Sequence, residues 1–174
     1  MTARVQGSDN VIKLFDWWGS PYWSLMVTEF HGSDIQRLLQ EKGPQGGLQP
    51  VVAFHVAREV CKAAEYFHDL EIIHRDVHAA NCLASMVLGW QPGSEISMQD
   101  FRKICVADFG MGCDTRGDKP NILRSACVCA EAARAPELWL CDHSYGPNVK
   151  QRYDTPLDIW SIGVLLGQML LVSA

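Results

Sequence analysis

The stretch EIIHRDVHAANCLA, residues 71–84, sets a charged triple, His74-Arg75-Asp76, directly behind two isoleucines, with Asn81 five positions after the aspartate. Charges inside an apolar frame must be held by partners or be used on a ligand. His78 stands between Asp76 and Asn81 and adds a group that donates a hydrogen bond, or a charge when protonated.

Three further motifs follow in order: DFG at 108–110, APE at 135–137 and DIWSIG at 158–163. Each is weak alone. Together, in this order and each in a suitable local setting, they form a strong constellation. The set resembles the eukaryotic protein kinase family, with RAPELWL closest in flavour to the cyclin-dependent and related serine/threonine kinases.

That resemblance implies an α+β, protein-kinase-like fold that uses ATP and Mg2+ on a protein substrate. It makes Asp76 the acceptor of the substrate hydroxyl proton, with His78 beside it, and gives Asn81 and Asp108 to magnesium, a hard cation that wants oxygen ligands. Arg75 would pair with a phosphorylated loop residue, and His74 and Phe109 would stack in a core column below Leu14. Asp158 would accept hydrogen bonds from the loop backbone. Glu29 and His31 fall where backbone groups meet the adenine, behind Thr28. Asp34 would reach the ribose, a role that competes with simple helix capping. Leu83, above Leu165 and Met169, would form the apolar floor. Ser125, 12 residues before Glu137, falls at the activating phosphosite.

The pattern also departs from the family. A lysine two after the aspartate marks serine/threonine kinases and an arginine four after it marks tyrosine kinases, but those positions hold His78 and Ala80. The threonine expected seven residues before Glu137 is Ala130. DVHAAN also resembles the loop of small-molecule phosphotransferases, a distant alternative because that family lacks the APE and DIWSIG pair. No glycine-rich phosphate loop or lysine-bearing strand fits ahead of DNVIKL. The expectation is therefore a truncated kinase domain over 1–174, with small-lobe strands and hinge at 1–31 and the large lobe, through the central helix, at 32–174. A completing or regulatory protein partner fits that expectation, and so does the alternative of an inactive, pseudokinase-like binding module.

Composition supports an ordinary globular chain: 174 residues, 48% hydrophobic and 20% charged. A net charge of -5 gives no basic footprint, so nucleic acid is not an expected partner. The apolar run at 159–174 is shorter than the roughly 20 residues a span needs, so no membrane partner is expected either. Seven cysteines without a signal-peptide pattern point to an intracellular setting, cytoplasmic or nuclear. Cys127, Cys129, Cys141 and His143 offer zinc-type ligands, but one-residue spacings are tighter than structural sites use, and small buried thiols are the preferred reading.

NVIKLFDWW and YWSLMVTEF read as two strands joined at Gly19-Ser20-Pro21. IQRLLQEK is a short helix. Val52, Val56, Val60, Ala63 and Phe67 recur at helical spacing and predict a long helix to about His68. NCLASMVL and KICVAD predict strands around a polar insertion, residues 109–134 read as one long loop, and a final helix begins near Thr155-Pro156.

Overall fold

The computed structural model describes residues 1–41, 47–117, 124–125, 128–140, 150–151 and 153–171. In chain order the strands and helices are β1 (Leu14–Gly19), β2 (Ser24–Thr28), β3 (Ser33–Asp34), α1 (Ile35–Glu41), α2 (Pro50–Asp69), β4 (Ile72–Ile73), β5 (Cys82–Met86), β6 (Phe101–Val106), β7 (Cys113–Asp114), β8 (Arg124–Ser125), α3 (Pro136–Leu140), β9 (Lys150–Gln151) and α4 (Pro156–Leu170).

α2 is the centre of the molecule. Pro50 opens it, where a missing N–H costs nothing. Val52, Ala53, Val56, Val60, Ala63, Ala64 and Phe67 then bury one face. They pack with Ile162, Leu165 and Met169 of α4 and with Cys82, Ala84, Ile104 and Val106 of the adjoining sheet. Burying a side chain such as Phe67, which is 0% exposed, contributes about 1.5–3 kcal/mol.

The sheet β3-β5-β6 is antiparallel, with Asp34 opposite Leu83 and Cys82 opposite Val106. Successive side chains of a strand point to opposite faces. Cys82 and Ala84 therefore turn into the main core, whereas Leu83 packs against Ile12, Cys105 and Ala107 in a separate cluster. The expectation that Leu83 rests on Leu165 and Met169 fails for this reason, since those two belong to the α2–α4 core.

β1 and β2 form a separate antiparallel ribbon, in which Trp17 faces Met26. Both faces of β1 are exposed beyond Leu14, and Trp17, Trp18 and Trp23 lie open to solvent.

The stretch after residue 108 is not one loop. Residues 109–111 form a 3-10 turn, and β7 pairs with β4, Ile73 opposite Cys113. A two-residue strand has too few positions for alternation to register in sequence. The polar insertion is likewise anchored: Ile96 is buried, Trp90 packs on the core, and the Asp100 carboxylate accepts from both the Ser97 N–H and its hydroxyl. Cys129 is a buried free thiol, pushed up to about 12 by burial, with the Asp158 and Asp76 charges adding to the rise. The other three residues of the zinc constellation lie outside the described residues.

Candidate active site

Two strand pairings bring the motifs together. β4–β7 holds residues 74–81 beside residues 107–112. At the end of β5–β6 the Ala107 N–H donates to the Asn81 carbonyl at 2.9 Å, so Asn81 and Asp108 emerge at the same sheet end.

Asp158, 0% exposed at the start of α4, fixes the charged triple from below. Its Oδ2 accepts from the His74 N–H at 2.8 Å and lies 2.9 Å from His68 Nε2, and its Oδ1 accepts from the Arg75 N–H at 2.8 Å. Those bonds hold Arg75 at φ 68°, a left-handed conformation that costs an L-residue about 1–2 kcal/mol. The Arg75 guanidinium donates to the carbonyls of Met111 and Gly112 and to the Tyr153 hydroxyl, at 2.6, 3.4 and 2.9 Å. Here it ties the two loops together, so a phosphate would have to share it.

His74 is fully buried, and its ring makes two fixed contacts. Nε2 lies 3.0 Å from the Ala107 carbonyl, and Nδ1 accepts from the Asp76 N–H at 3.2 Å. That pair requires the neutral tautomer with its proton on Nε2. The ring sits 4.6 Å from Phe109 and 5.8 Å from Phe67, and Phe67 meets Phe109 edge-on at 5.6 Å. Phe67 was read in the sequence only as a helix-face residue, because the pattern marks burial and not which ring it meets.

Burial pushes the His74 pKa below its ordinary value, more than the Asp158 charge raises it. The folded state thus takes up this proton less readily than the unfolded chain, whose histidine titrates near pH 6.5. The sign follows: the His74 contribution is complete above about pH 6.5 and is lost as pH falls from there toward the folded pKa. The wild-type melting temperature should drop below pH 6.5 more steeply than that of His74→Gln. Parallel profiles of the two proteins would show that this ring does not set the slope.

The Asp76 carboxylate is held by two hydrogen bonds and remains 21% exposed. Oδ1 accepts from the Ala130 N–H at 3.1 Å, and Oδ2 accepts from Asn81 Nδ2 at 3.3 Å. His78 Nδ1 accepts from the Ala80 N–H at 3.3 Å, which leaves Nε2 as the donor, 3.6 Å from Asp76 Oδ2. His78 therefore caps its own 3-10 turn while facing the aspartate. The Ala130 contact is made by main chain, so it does not need the threonine whose absence the sequence flagged.

Asn81 bonds the Asp76 carbonyl and carboxylate through Nδ2, and among the described residues its amide oxygen has no partner. Asp108 is exposed in a left-handed conformation, φ 60° and ψ 70°, with Oδ1 accepting from the Gly110 N–H at 3.1 Å. A Cβ on Gly110 would stand 2.9 Å from that oxygen, so a larger residue there would push the Asp108 carboxylate out of this position. The Asn81 amide oxygen and the Asp108 carboxylate are oxygen donors of the kind that suits a hard divalent cation such as Mg2+.

Asp34 Oδ1 accepts from the Arg37 N–H at 2.8 Å and so caps α1. The Glu29 N–H is taken by the Lys13 carbonyl at 2.9 Å. Its carboxylate lies 2.7 and 2.9 Å from Lys103 Nζ. Burial raises the Glu29 pKa, but the Lys103 ammonium and the Lys13 N–H outweigh it and hold the carboxyl below its ordinary value. The His31 ring is turned inward, with Nδ1 2.9 Å from Ser85 Oγ and Nε2 3.3 Å from Cys105 Sγ. Ser125 contributes backbone to β8, opposite Lys150, and its side chain lies outside the described residues.

A DFG turn with a left-handed aspartate, set against an HRD loop pinned by a buried aspartate, defines the protein kinase fold class. The chain belongs to the protein kinase domain family, which matches residues 1–173. It is 31% identical to the mitogen-activated protein kinase mpkC of Emericella nidulans, over 94% of this chain and 32% of that protein. It is 30% identical to a putative ribosomal protein S6 kinase alpha-1 of Caenorhabditis elegans, over 92% of this chain and 18% of the relative. The chain thus spans about a third or less of the length of these curated relatives. A chain of the yeast RNA Pol II CTD kinase CTDK-1 complex superposes with a TM-score of 0.71 at 21% identity, covering 97% of this chain and 47% of that one, and so shares the fold. Among the described residues no helix is long and apolar enough to cross a membrane.

Proposed function

We propose that this domain transfers the γ-phosphate of ATP to a serine or threonine hydroxyl of a protein substrate. The observation that carries the reading is the Asp76 carboxylate, partly exposed yet oriented by Asn81 Nδ2 and the Ala130 N–H. Asp76 accepts the hydroxyl proton as that oxygen bonds to the γ-phosphorus and the bond to the β-phosphate oxygen breaks. His78 faces Asp76 across 3.6 Å and caps the turn that carries Asn81. Asn81 and Asp108 hold magnesium, which when bound neutralises phosphate charge. The Glu29 carbonyl and His31 N–H, which have no backbone partner among the described residues, meet the base over Leu83, and the second Asp34 oxygen faces the ribose.

In this reading residues 1–31 supply small-lobe strands and hinge and 32–174 the large lobe. Ser125 is the phosphorylated loop residue. A regulatory or completing protein partner covers the exposed tryptophans of the β1–β2 ribbon. The serine/threonine class rests on Arg134 directly before APE and on Ala80 where tyrosine kinases carry arginine.

Residues 1–174 carry no glycine-rich phosphate loop or ATP-anchoring lysine, so the test is transfer from γ-labelled ATP to mixed peptide libraries by the chain joined to a small lobe that supplies both, with little transfer expected from the chain alone. Mg2+-dependent label on serine and threonine is expected, and Asp108→Asn should reduce it by about a hundredfold or more, as loss of a preorganised charge-stabilising group does. Label on tyrosine alone, or only on small molecules, overturns the substrate class. Nucleotide binding with no turnover overturns the transferase reading in favour of a binding module.

A further inference from the structure

Behind the segment that follows β2, two metal-ligating side chains of that segment converge with a third from β6, 74 residues from His31. Glu29, His31 and Cys105 place a carboxylate oxygen, an imidazole nitrogen and a sulfur within 4.8 Å of one another. The His31 side chain is 1% exposed, so the cluster is built into the fold and is not a surface coincidence.

The spacing is informative. Zn–N and Zn–O bonds of about 2.0–2.2 Å make a tetrahedral N···O edge of about 3.4 Å, and a Zn–S bond of about 2.3 Å makes an N···S edge of about 3.6 Å. His31 Nε2 lies 3.4 Å from Glu29 Oε1 and 3.3 Å from Cys105 Sγ. Both distances are near an edge of that tetrahedron. The other ring nitrogen is also arranged: Nδ1 lies 2.9 Å from Ser85 Oγ. Donation of the Nδ1 proton to that hydroxyl leaves Nε2 with a bare lone pair aimed at the cluster, the outer-shell arrangement usual for a ligating histidine.

We propose that Glu29, His31 and Cys105 form a three-ligand site for a single zinc-type divalent cation that clamps the segment after β2 to β6. Three protein ligands leave a fourth position for water, as in exchangeable rather than closed structural sites. The thiol loses its proton to solvent as the S–metal bond forms. Lys103 is the competing cation: its ammonium holds both Glu29 oxygens, and the Lys13 N–H donates to Oε1 at 2.8 Å. For the ion to take Oε1, Lys103 must give up its 2.7 Å contact there and keep only Oε2, at 2.9 Å, so this competition and the positive charge beside the site weaken binding.

The experiment titrates the metal-free full chain with Co2+ under reducing conditions and follows the thiolate-to-cobalt charge-transfer band, with Zn2+ as competitor. One equivalent should develop the band, and Zn2+ should displace it. Cys105→Ser should abolish the band, whereas Cys129→Ser should retain it. Ser85→Ala should weaken Zn2+ binding by about tenfold or more, as loss of an outer-shell partner does. Lys103→Gln should tighten it. If the cluster is only an ion pair packed on a buried histidine, the wild type gives no stoichiometric band. That result overturns the proposal whether or not any variant folds, as does a band that survives Cys105→Ser.

Discussion

Asp76→Asn should lower kcat for phosphoryl transfer by about a hundred- to ten-thousandfold, the usual range for a lost general base. The amide keeps a carbonyl oxygen for the Ala130 N–H, which now donates to Asp76 Oδ1 at 3.1 Å. It gives up a basic oxygen on the side shared with Asn81 and His78. Stability should change by only about 1 kcal/mol, the net worth of one ordinary hydrogen bond. The KM for ATP should stay within a few fold, because the substitution removes an interaction made in the transition state. A variant with wild-type kcat would remove Asp76 from the chemistry. A variant with low kcat but an equally lowered melting temperature would make it a structural residue.

The second large effect is on folding. Asp158→Ala removes the acceptor of two backbone N–H groups, those of His74 and Arg75, and the partner of His68 Nε2. All three contacts converge on a side chain with no solvent exposure. Buried donors left without partners cost about 1–3 kcal/mol each, so a total near 3–5 kcal/mol is expected. For a domain of this size that is a fall in Tm of about 10–15 °C. Asp158→Asn should fall between the wild type and the alanine variant, since one carbonyl oxygen serves only one of the two N–H groups well. Lys62→Ala, which removes a surface partner of Glu59, should change stability by less than about 0.5 kcal/mol. If Asp158→Ala melted like Lys62→Ala, the triple would be held by something other than this carboxylate.

Much of this molecule was legible locally. The apolar spacing from Val52 to Phe67 reports a helix because a period of 3.6 shows in any window of that length, and α2 runs over Pro50–Asp69. The HRD, DFG, APE and DIWSIG order placed Asp76, Asn81 and Asp108 in one constellation, and the strand register brings Asn81 and Asp108 to one sheet end. The part Asp158 plays was also readable, but only through the resemblance. Nothing in the spacing of residues 74 and 158 predicts a bond.

Other features depended on the tertiary structure. Leu83 faces away from Leu165 and Met169 because strand alternation and sheet register, not hydrophobicity, choose its side. Ala130 serves Asp76 through its main-chain N–H, a group every residue but proline has, so no side-chain pattern marks it. The inward turn of His31 onto Ser85 and Cys105 links positions 54 and 74 residues apart. Sequence by itself determined the elements with a period and the residue types that carry chemistry. Which side chains meet was decided by packing, because a contact across the chain depends on register and burial summed over the whole fold, and neither leaves a trace in the neighbouring letters.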